Sequence, residues 1–286
     1  MKTNTLFPGR TPFSFEVFPP KSTSPIDTIY RTLDGLKGLQ PDFISVTYGT
    51  GGAVDGRSTV EIASAIKNSF HIESVAHLPS LYLGREDVLR LLHEFERNGI
   101  ENILALQGNR NPEIAPHGDF RHASDLVEWI REHGDFNIIG ACYPEGHNDS
   151  ASIIEDIRHL KVKVDAGVTQ LISQLFFDNE YFYSFLERTS LAGIDVPIQA
   201  GIMPVVNRKQ IERMVTLCGV QLPRKFVRMM ERYGHNPEAM HDAGIAYAVD
   251  QIVDLAAQGV AGIHLYTMNN AEIARKISRA VANLLV

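Results

Sequence analysis

The residue that most suggests chemistry in this 286-residue chain is Glu16. It interrupts an apolar run, Phe13-Ser14-Phe15-Glu16-Val17-Phe18. Apolar surroundings disfavour a charged carboxylate, so such a residue is either a paired structural group or one kept for chemistry. Polar or glycine-rich residues also follow other apolar runs: Thr47-Tyr48-Gly49-Thr50-Gly51-Gly52, His77, Gln107-Gly108-Asn109 after Leu106, Tyr143-Pro144-Glu145-Gly146-His147, Gln174, Gly201-Ile202-Met203-Pro204 and Tyr266-Thr267-Met268-Asn269-Asn270. One polar residue at a strand end is ordinarily a turn. Eight such ends gathered at one mouth make a site, without naming its reaction.

The elements that must gather them are legible in the spacing. Short runs rich in β-branched and aromatic residues begin at Phe13, Phe43, Ile72, Asn102, Asn137, Gln170, Pro197 and Gly262. The first seven starts lie 30, 29, 30, 35, 33 and 27 residues apart, and the last gap is 65. Between them apolar residues recur at helical spacing: Ile26, Ile29, Tyr30, Leu33 and Leu36; Val88, Leu91, Leu92 and Phe95; Ile153, Ile154, Ile157, Leu160 and Val164. Asn98-Gly99-Ile100, Ala166-Gly167-Val168, Ala192-Gly193-Ile194 and Gln258-Gly259-Val260 read as helix ends closed by a left-handed glycine. Strands apolar at nearly every position suit a sheet covered by helices. Eight strand–helix units predict a (β/α)8 TIM barrel occupying residues 1–286 as one domain, with the site at the C-terminal ends of the strands. The long last gap predicts extra helices over 208–217, 224–233 and 237–257, and a final helix over 271–285. A doubly wound open sheet is the alternative.

Composition excludes several classes. With 27 Lys+Arg against 34 Asp+Glu and no basic block, the chain is a poor general nucleic-acid binder. No apolar run approaches the ~18 residues needed to cross a bilayer, and residues 1–12 hold no apolar signal core. Cys142 and Cys218 cannot build a disulfide framework. These features predict a cytoplasmic chain with no membrane contact. There is no phosphate-binding Gly-x-x-x-x-Gly-Lys loop, and Val54 stands where a dinucleotide fingerprint needs its third glycine. His77 and His147 lack an acidic or thiol cluster at ligand spacing, so no metal site is expected. A Schiff-base aldolase would want an interior strand lysine, and none of the eight runs has one.

Phe15-Glu16-Val17-Phe18-Pro19-Pro20-Lys21 and Phe43-Ile44-Ser45-Val46-Thr47-Tyr48-Gly49 resemble motifs of the 5,10-methylenetetrahydrofolate reductases. So, in order along the chain, do Ala76-His77-Leu78, Ala123-Ser124-Asp125-Leu126, Tyr143-Pro144-Glu145-Gly146-His147, Lys163-Val164-Asp165-Ala166-Gly167, Ser173-Gln174-Leu175-Phe176-Phe177-Asp178, Gly201-Ile202-Met203-Pro204 and His264-Leu265-Tyr266-Thr267-Met268-Asn269. The resemblance is to the short bacterial form, the catalytic barrel alone. It implies non-covalent FAD, reduced by NADH or NADPH, with NADH the expected donor. The folate then replaces the nicotinamide and accepts hydride. By resemblance Glu16 is the general acid and Gln174 hydrogen-bonds both guests, an amide offering donor and acceptor together. Thr47, Tyr48, His77, Leu106, Gln107, Gly108, Asn109, His122, Ala123, Ala141, Tyr143 and His147 match cofactor-lining positions. Asp156 and Lys163 match positions toward the ribityl and phosphate, and His159 shares their helix face at i, i+3, i+7, so that face can meet the cofactor. Tyr266 and Asn270 fall at the substrate end. Relatives form homo-oligomers, and some work with a second subunit.

This chain departs from the family pattern in four places. Leu106-Gln107-Gly108-Asn109 replaces the usual Leu-Arg-Gly-Asp, so a cation and a carboxylate near the flavin are both lost. Pro79-Ser80 replaces Thr-Cys. Arg208 and Asn270 stand where some relatives place an aromatic residue and an arginine against the substrate. These changes keep open a flavin-binding barrel subunit that has lost folate turnover and acts in electron transfer.

Overall fold

The computed structural model describes residues 1–20, 24–49, 56–110 and 114–285. Thr50 to Val54 of the glycine-rich loop, and Lys21 of the first motif, lie outside the described residues.

Eight parallel strands pair in chain order and close, the eighth on the first. They are β1 (Phe13–Val17), β2 (Phe43–Val46), β3 (Glu73–Pro79), β4 (Asn102–Leu106), β5 (Asn137–Cys142), β6 (Gln170–Ser173), β7 (Ile198–Ile202) and β8 (Gly262–Tyr266). The helices are α1 (Asp27–Lys37), α2 (Arg57–Asn68), α3 (Arg85–Arg97), α4 (Ala123–His133), α5 (Ile153–Asp165), α6 (Asn179–Leu191), α7 (Arg208–Cys218), α8 (Arg224–Tyr233), α9 (Pro237–Ala257) and α10 (Ala271–Val281). The expected barrel and the three extra helices before β8 are present.

The sequence pattern explains the layers. Phe15, Val17, Ile44, Val46, Ala76 and Leu78 face outward into one core shared with the helices. The alternate residues Phe43, Val75, Leu104, Ile139 and Ile172 form a separate apolar plug inside the barrel. Below that plug Asn102, Asn137 and Gln170 bond to one another or to Thr3, closing the N-terminal end. Above it the interior turns polar. Gly99, Gly167, Gly193 and Gly259 have φ of +69°, +131°, +71° and +71°, and the following Ile100, Val168, Ile194 and Val260 are buried.

Four details differ from the expectation. The third strand starts at Glu73 and runs on to Pro79, because Leu78 and Pro79 pair with Ala105 and Leu106 of β4. His77 therefore sits inside the strand, not at its end. Ile198, not Pro197, opens β7. Ile154 is 61% exposed, so α5 buries a narrower face than its spacing suggested. The last helix ends at Val281.

Candidate functional site

Strand parity carries Glu16 to the inner face near the top of β1, opposite Ser45 of β2 and Tyr266 of β8. Its side chain is 17% exposed, and its Oε2 lies 3.5 Å from Nε2 of His77 and 3.7 Å from Nε2 of His264. Three strands thus converge on one carboxyl. The strand end is pinned by Thr267, whose hydroxyl donates to the Glu16 carbonyl at 2.6 Å. Asn269 then clamps Phe18 through both ends of its amide, accepting from Phe18 N–H at 3.0 Å and donating to Phe18 O at 2.8 Å. Met268 and Asn269 adopt φ of +52° and +55°, a left-handed turn that non-glycine residues rarely take. The turn aims the Asn269 amide at β1.

The opposite wall belongs to β6, β7 and β8. Gln174 Oε1 accepts from Leu175 N–H at 2.9 Å, so the amide NH2 keeps its donors for the mouth. Tyr266 reaches across β7 to donate to Ser173 O at 2.7 Å. It can do so because the residue beneath it is Gly201: a Cβ there would lie 2.8 Å from the tyrosine ring. Burial, and then the Glu16 charge, hold the Tyr266 phenol well above its ordinary pKa. Beyond this wall Leu175, Phe177, Met203, Val205, Ile211, Val220, Phe226 and Met240 form a satellite core that seats α7 to α9 beside the mouth.

On the β5 side, Ala141 and Tyr143 continue the inner face, and Tyr143 meets His147 edge-on at 4.6 Å. Asp156 is buried and accepts from the Ser150 hydroxyl at 3.2 Å. Burial raises its pKa, and His147, Ser150 and Lys163 partly offset that. Lys163 lies behind the strand, where its ammonium donates to the Ala141 carbonyl. Burial lowers its pKa, with Cys142 and Asp156 opposing. His159 is exposed and stacks on His122 at 6.1 Å. The expected helix face therefore splits, Asp156 and Lys163 going inward and His159 to the surface. His122 caps α4 with Ala123 as its first helical residue, and Asp125 receives the His122 N–H.

Leu106 joins the inner apolar plug. Gly108 has φ of +91° and packs on Pro79, and Asn109 beyond it is exposed; Gln107 is half-buried. Three further residues are placed away from the converging set. Tyr48 packs with the outer core, its hydroxyl over Gly56. Asn270 caps the α10 N-terminus through Oδ1, accepting from Glu272 and Ile273 at 3.1 Å each. Arg208 opens α7 on the surface, paired with Glu212 at 3.0 Å.

The sequence reading assigned no part to Ser14, Ser45, Gln199 or His264. All four are fully buried. Their signal was the one that exposed Glu16: a polar residue at an inward position of an apolar strand.

His77 carries a pH prediction. Burial pushes its imidazole from 6.5 to about 4, Glu16 opposing and His264 adding to the fall. Between those values the unfolded chain binds a proton that the folded chain refuses, so folding stability must drop as pH falls through that window. The loss from this group approaches ~3 kcal/mol by pH 4. Urea unfolding at pH 7 and pH 4.5 should show a smaller difference in His77→Gln than in the parent. An equal difference would sink the assignment.

Among the described residues no group of three or more His, Cys, Asp or Glu is placed to hold a metal ion, and no helix is long and apolar enough to cross a membrane.

Comparison with known proteins places these features in a wider set. The family model described as methylenetetrahydrofolate reductase matches residues 3–282. The 5,10-methylenetetrahydrofolate reductase of Pectobacterium carotovorum is 36% identical over 269 residues, covering 94% of this chain and 89% of that protein. Its Escherichia coli counterpart is 35% identical, with 94% and 90% covered. Methylenetetrahydrofolate reductase (NADH) 1 of Arabidopsis thaliana is 36% identical over 276 residues, but the match takes up only 46% of that longer protein. Among solved structures, a Clostridium thermocellum protein described as binding two copies of 5-methyl-5,6,7,8-tetrahydrofolic acid superposes with TM-score 0.69 at 14% identity, over 99% of this chain and 98% of that one. At that identity the likeness is one of fold.

Proposed function

The chain belongs to the methylenetetrahydrofolate reductase family, and from that membership we propose that it converts 5,10-methylenetetrahydrofolate to 5-methyltetrahydrofolate, using NADH and a non-covalently bound FAD. The observation that carries the reading is the seat of Glu16, a carboxyl at the barrel mouth whose Oε2 is approached by two imidazoles, one from β3 and one from β8. The choice of NADH is supported by the plant relative whose name specifies it.

The residues present fit a flavin. Thr47 Oγ1 and His77 Nε2 are buried without a hydrogen-bond partner, and a buried polar atom left so costs ~1–3 kcal/mol. A polar ring system lying on them would relieve that cost. FAD, when bound, supplies a two-electron carrier between the nicotinamide and the folate. Thr47, His77, Ala141, Tyr143 and His147 would line it, and Asp156 with the α4 start at His122 and Ala123 would face its polar chain. Lys163, bonded to the Ala141 carbonyl, would act by holding the end of β5 in place. Glu16 would deliver the proton that opens the folate's five-membered ring at N10. The Gln174 amide, with its donors turned to the mouth, would orient each guest in turn, and Tyr266 would close the wall behind it.

The test is an anaerobic spectral titration. The purified protein should be yellow, bleach with NADH and regain colour with methylenetetrahydrofolate. Bleaching without recovery would favour the reading as an electron-transfer subunit, which the loss of the family Arg and Asp at Gln107 and Asn109 supports. Protein that takes up no FAD would refute both. The active form is proposed to be a cytoplasmic homo-oligomer, which light scattering on the purified protein would check.

Asn109 yields a second test. An amide has fewer acceptor lone pairs than a carboxylate and no charge. Asn109→Asp should tighten folate binding by ~1–2 kcal/mol through a charge-assisted bond and lower the flavin potential, since a nearby negative charge disfavours the anionic reduced ring. Equal potentials in parent and variant would remove Asn109 from the cofactor site.

A further inference from the structure

Beneath Glu16 lies a chain of polar groups that no step above employs. His264 is fully buried on β8. Phe43 stacks on its ring at 6.0 Å and Tyr266 meets it edge-on at 5.5 Å. Its Nδ1 lies 2.7 Å from Ser14 Oγ, two residues before Glu16 on the same face of β1. Its Nε2 lies 3.3 Å from Ser45 Oγ and 3.7 Å from Glu16 Oε2.

The distances in this network point to one direction. Gln199 Nε2 has only hydrogens to offer, so Ser14 Oγ accepts from it at 3.1 Å. The one Ser14 proton then goes to His264 Nδ1 at 2.7 Å in preference to Ile263 O at 3.4 Å. This pattern assigns Nδ1 as an acceptor and places the ring proton on Nε2, toward Ser45 and Glu16. His77 approaches the same carboxyl oxygen, Oε2.

We propose that His264, locked by Ser14 as its Nε2–H tautomer, is a positioning residue that turns its N–H toward the Glu16 carboxyl and orients it to carry the proton to the guest. The proposal rests on the reading of Glu16 as the acid of a folate reductase. Its catalytic test uses the two half-reactions, because only the folate step needs that proton. In His264→Phe, folate reduction should fall about tenfold or more, while bleaching by NADH moves less than about twofold. His264→Gln keeps an N–H donor near the Nε2 position and should return folate reduction to within about threefold of the parent.

A second readout does not depend on turnover. Imidazole 15N spectra of the intact protein at pH 7 should show His264 protonated on Nε2 and bare on Nδ1, and Ser14→Ala should erase that preference. The opposite tautomer would overturn the proposal. So would full folate activity in His264→Phe, an equal fall in both half-reactions, or a glutamine variant as slow as the phenylalanine one. If the parent protein itself fails to reduce the folate, the functional reading falls, and the 15N spectra still decide the tautomer.

Discussion

Glu16→Gln is expected to cut folate reduction by about 10²- to 10⁴-fold, the range over which a general acid contributes, while leaving bleaching by NADH close to the parent rate. Glutamine keeps the shape of the side chain and has no acidic proton. The size of the effect depends on whether a neighbour can stand in, and the site offers poor substitutes. His77, 3.5 Å away, is held by burial near a pKa of about 4 and is neutral at working pH. Tyr266 is pushed far above 10 and spends its hydroxyl on Ser173 O. Among the described residues, the ion-pair partners within 4.0 Å of the carboxyl are the imidazoles of His77 and His264. The measurement is stopped-flow of each half-reaction separately, with melting temperature as a control for folding. A variant that reduces the folate at full speed, or loses both steps equally, would dismiss Glu16 as the acid.

Much of this arrangement was legible before any coordinates. Strand starts at Phe13, Phe43, Asn102, Asn137, Gln170 and Gly262 coincide with the observed ones, because a strand covered by helices is apolar on both faces and is bounded by polar turns. The glycine closures were equally readable, since φ near +70° at Gly99, Gly193 and Gly259 is a backbone need that composition reveals. Convergence was the part that parity carried: Glu16, Thr47, His77, Ala141, Gln174 and Tyr266 all occupy alternate, inward positions.

What the sequence hid is pairing across distance. Ser14 and His264 are 250 positions apart and meet only because β8 closes on β1. Asn270 looked like a substrate contact, yet its amide caps α10, a local role that any Asn before a helix can take. Lys163 looked free to meet a phosphate, whereas the absence of a side chain at Gly140 lets its stem lie against β5, its Cε 3.3 Å from where a Cβ would stand. Such outcomes depend on which atoms lie within reach, and a linear pattern does not record that.

Gly201→Ala is the second large effect expected, and it falls on stability as well as on the site. No positive φ is needed at this position, so the constraint is space alone. A methyl group there would lie 2.2 Å from Ser173 O, 2.8 Å from Tyr266 Cε2 and 2.9 Å from its hydroxyl. The first of these is a backbone atom in the neighbouring strand and cannot swing aside. β6 and β7 must separate, which also strains the Gly201 N–H bond to Ser173 Oγ at 2.9 Å. Tyr266 must leave Ser173 O, orphaning a buried carbonyl. Overpacking costs ~1–3 kcal/mol and the lost bond a further ~1–3 kcal/mol, so the melting temperature should fall by roughly 5–15 °C. Tyr266→Phe, which gives up the bond but keeps the ring, should lose only the ~1–3 kcal/mol of that bond. Tyr266→Ala added to Gly201→Ala should cost less than the two changes summed, because both remove the same contact. It should not restore the parent stability, because the clash with Ser173 O remains. An alanine variant that melts with the parent would mean that β6 and β7 can part freely, and that Tyr266 reaches Ser173 for some reason other than the bare glycine beneath it.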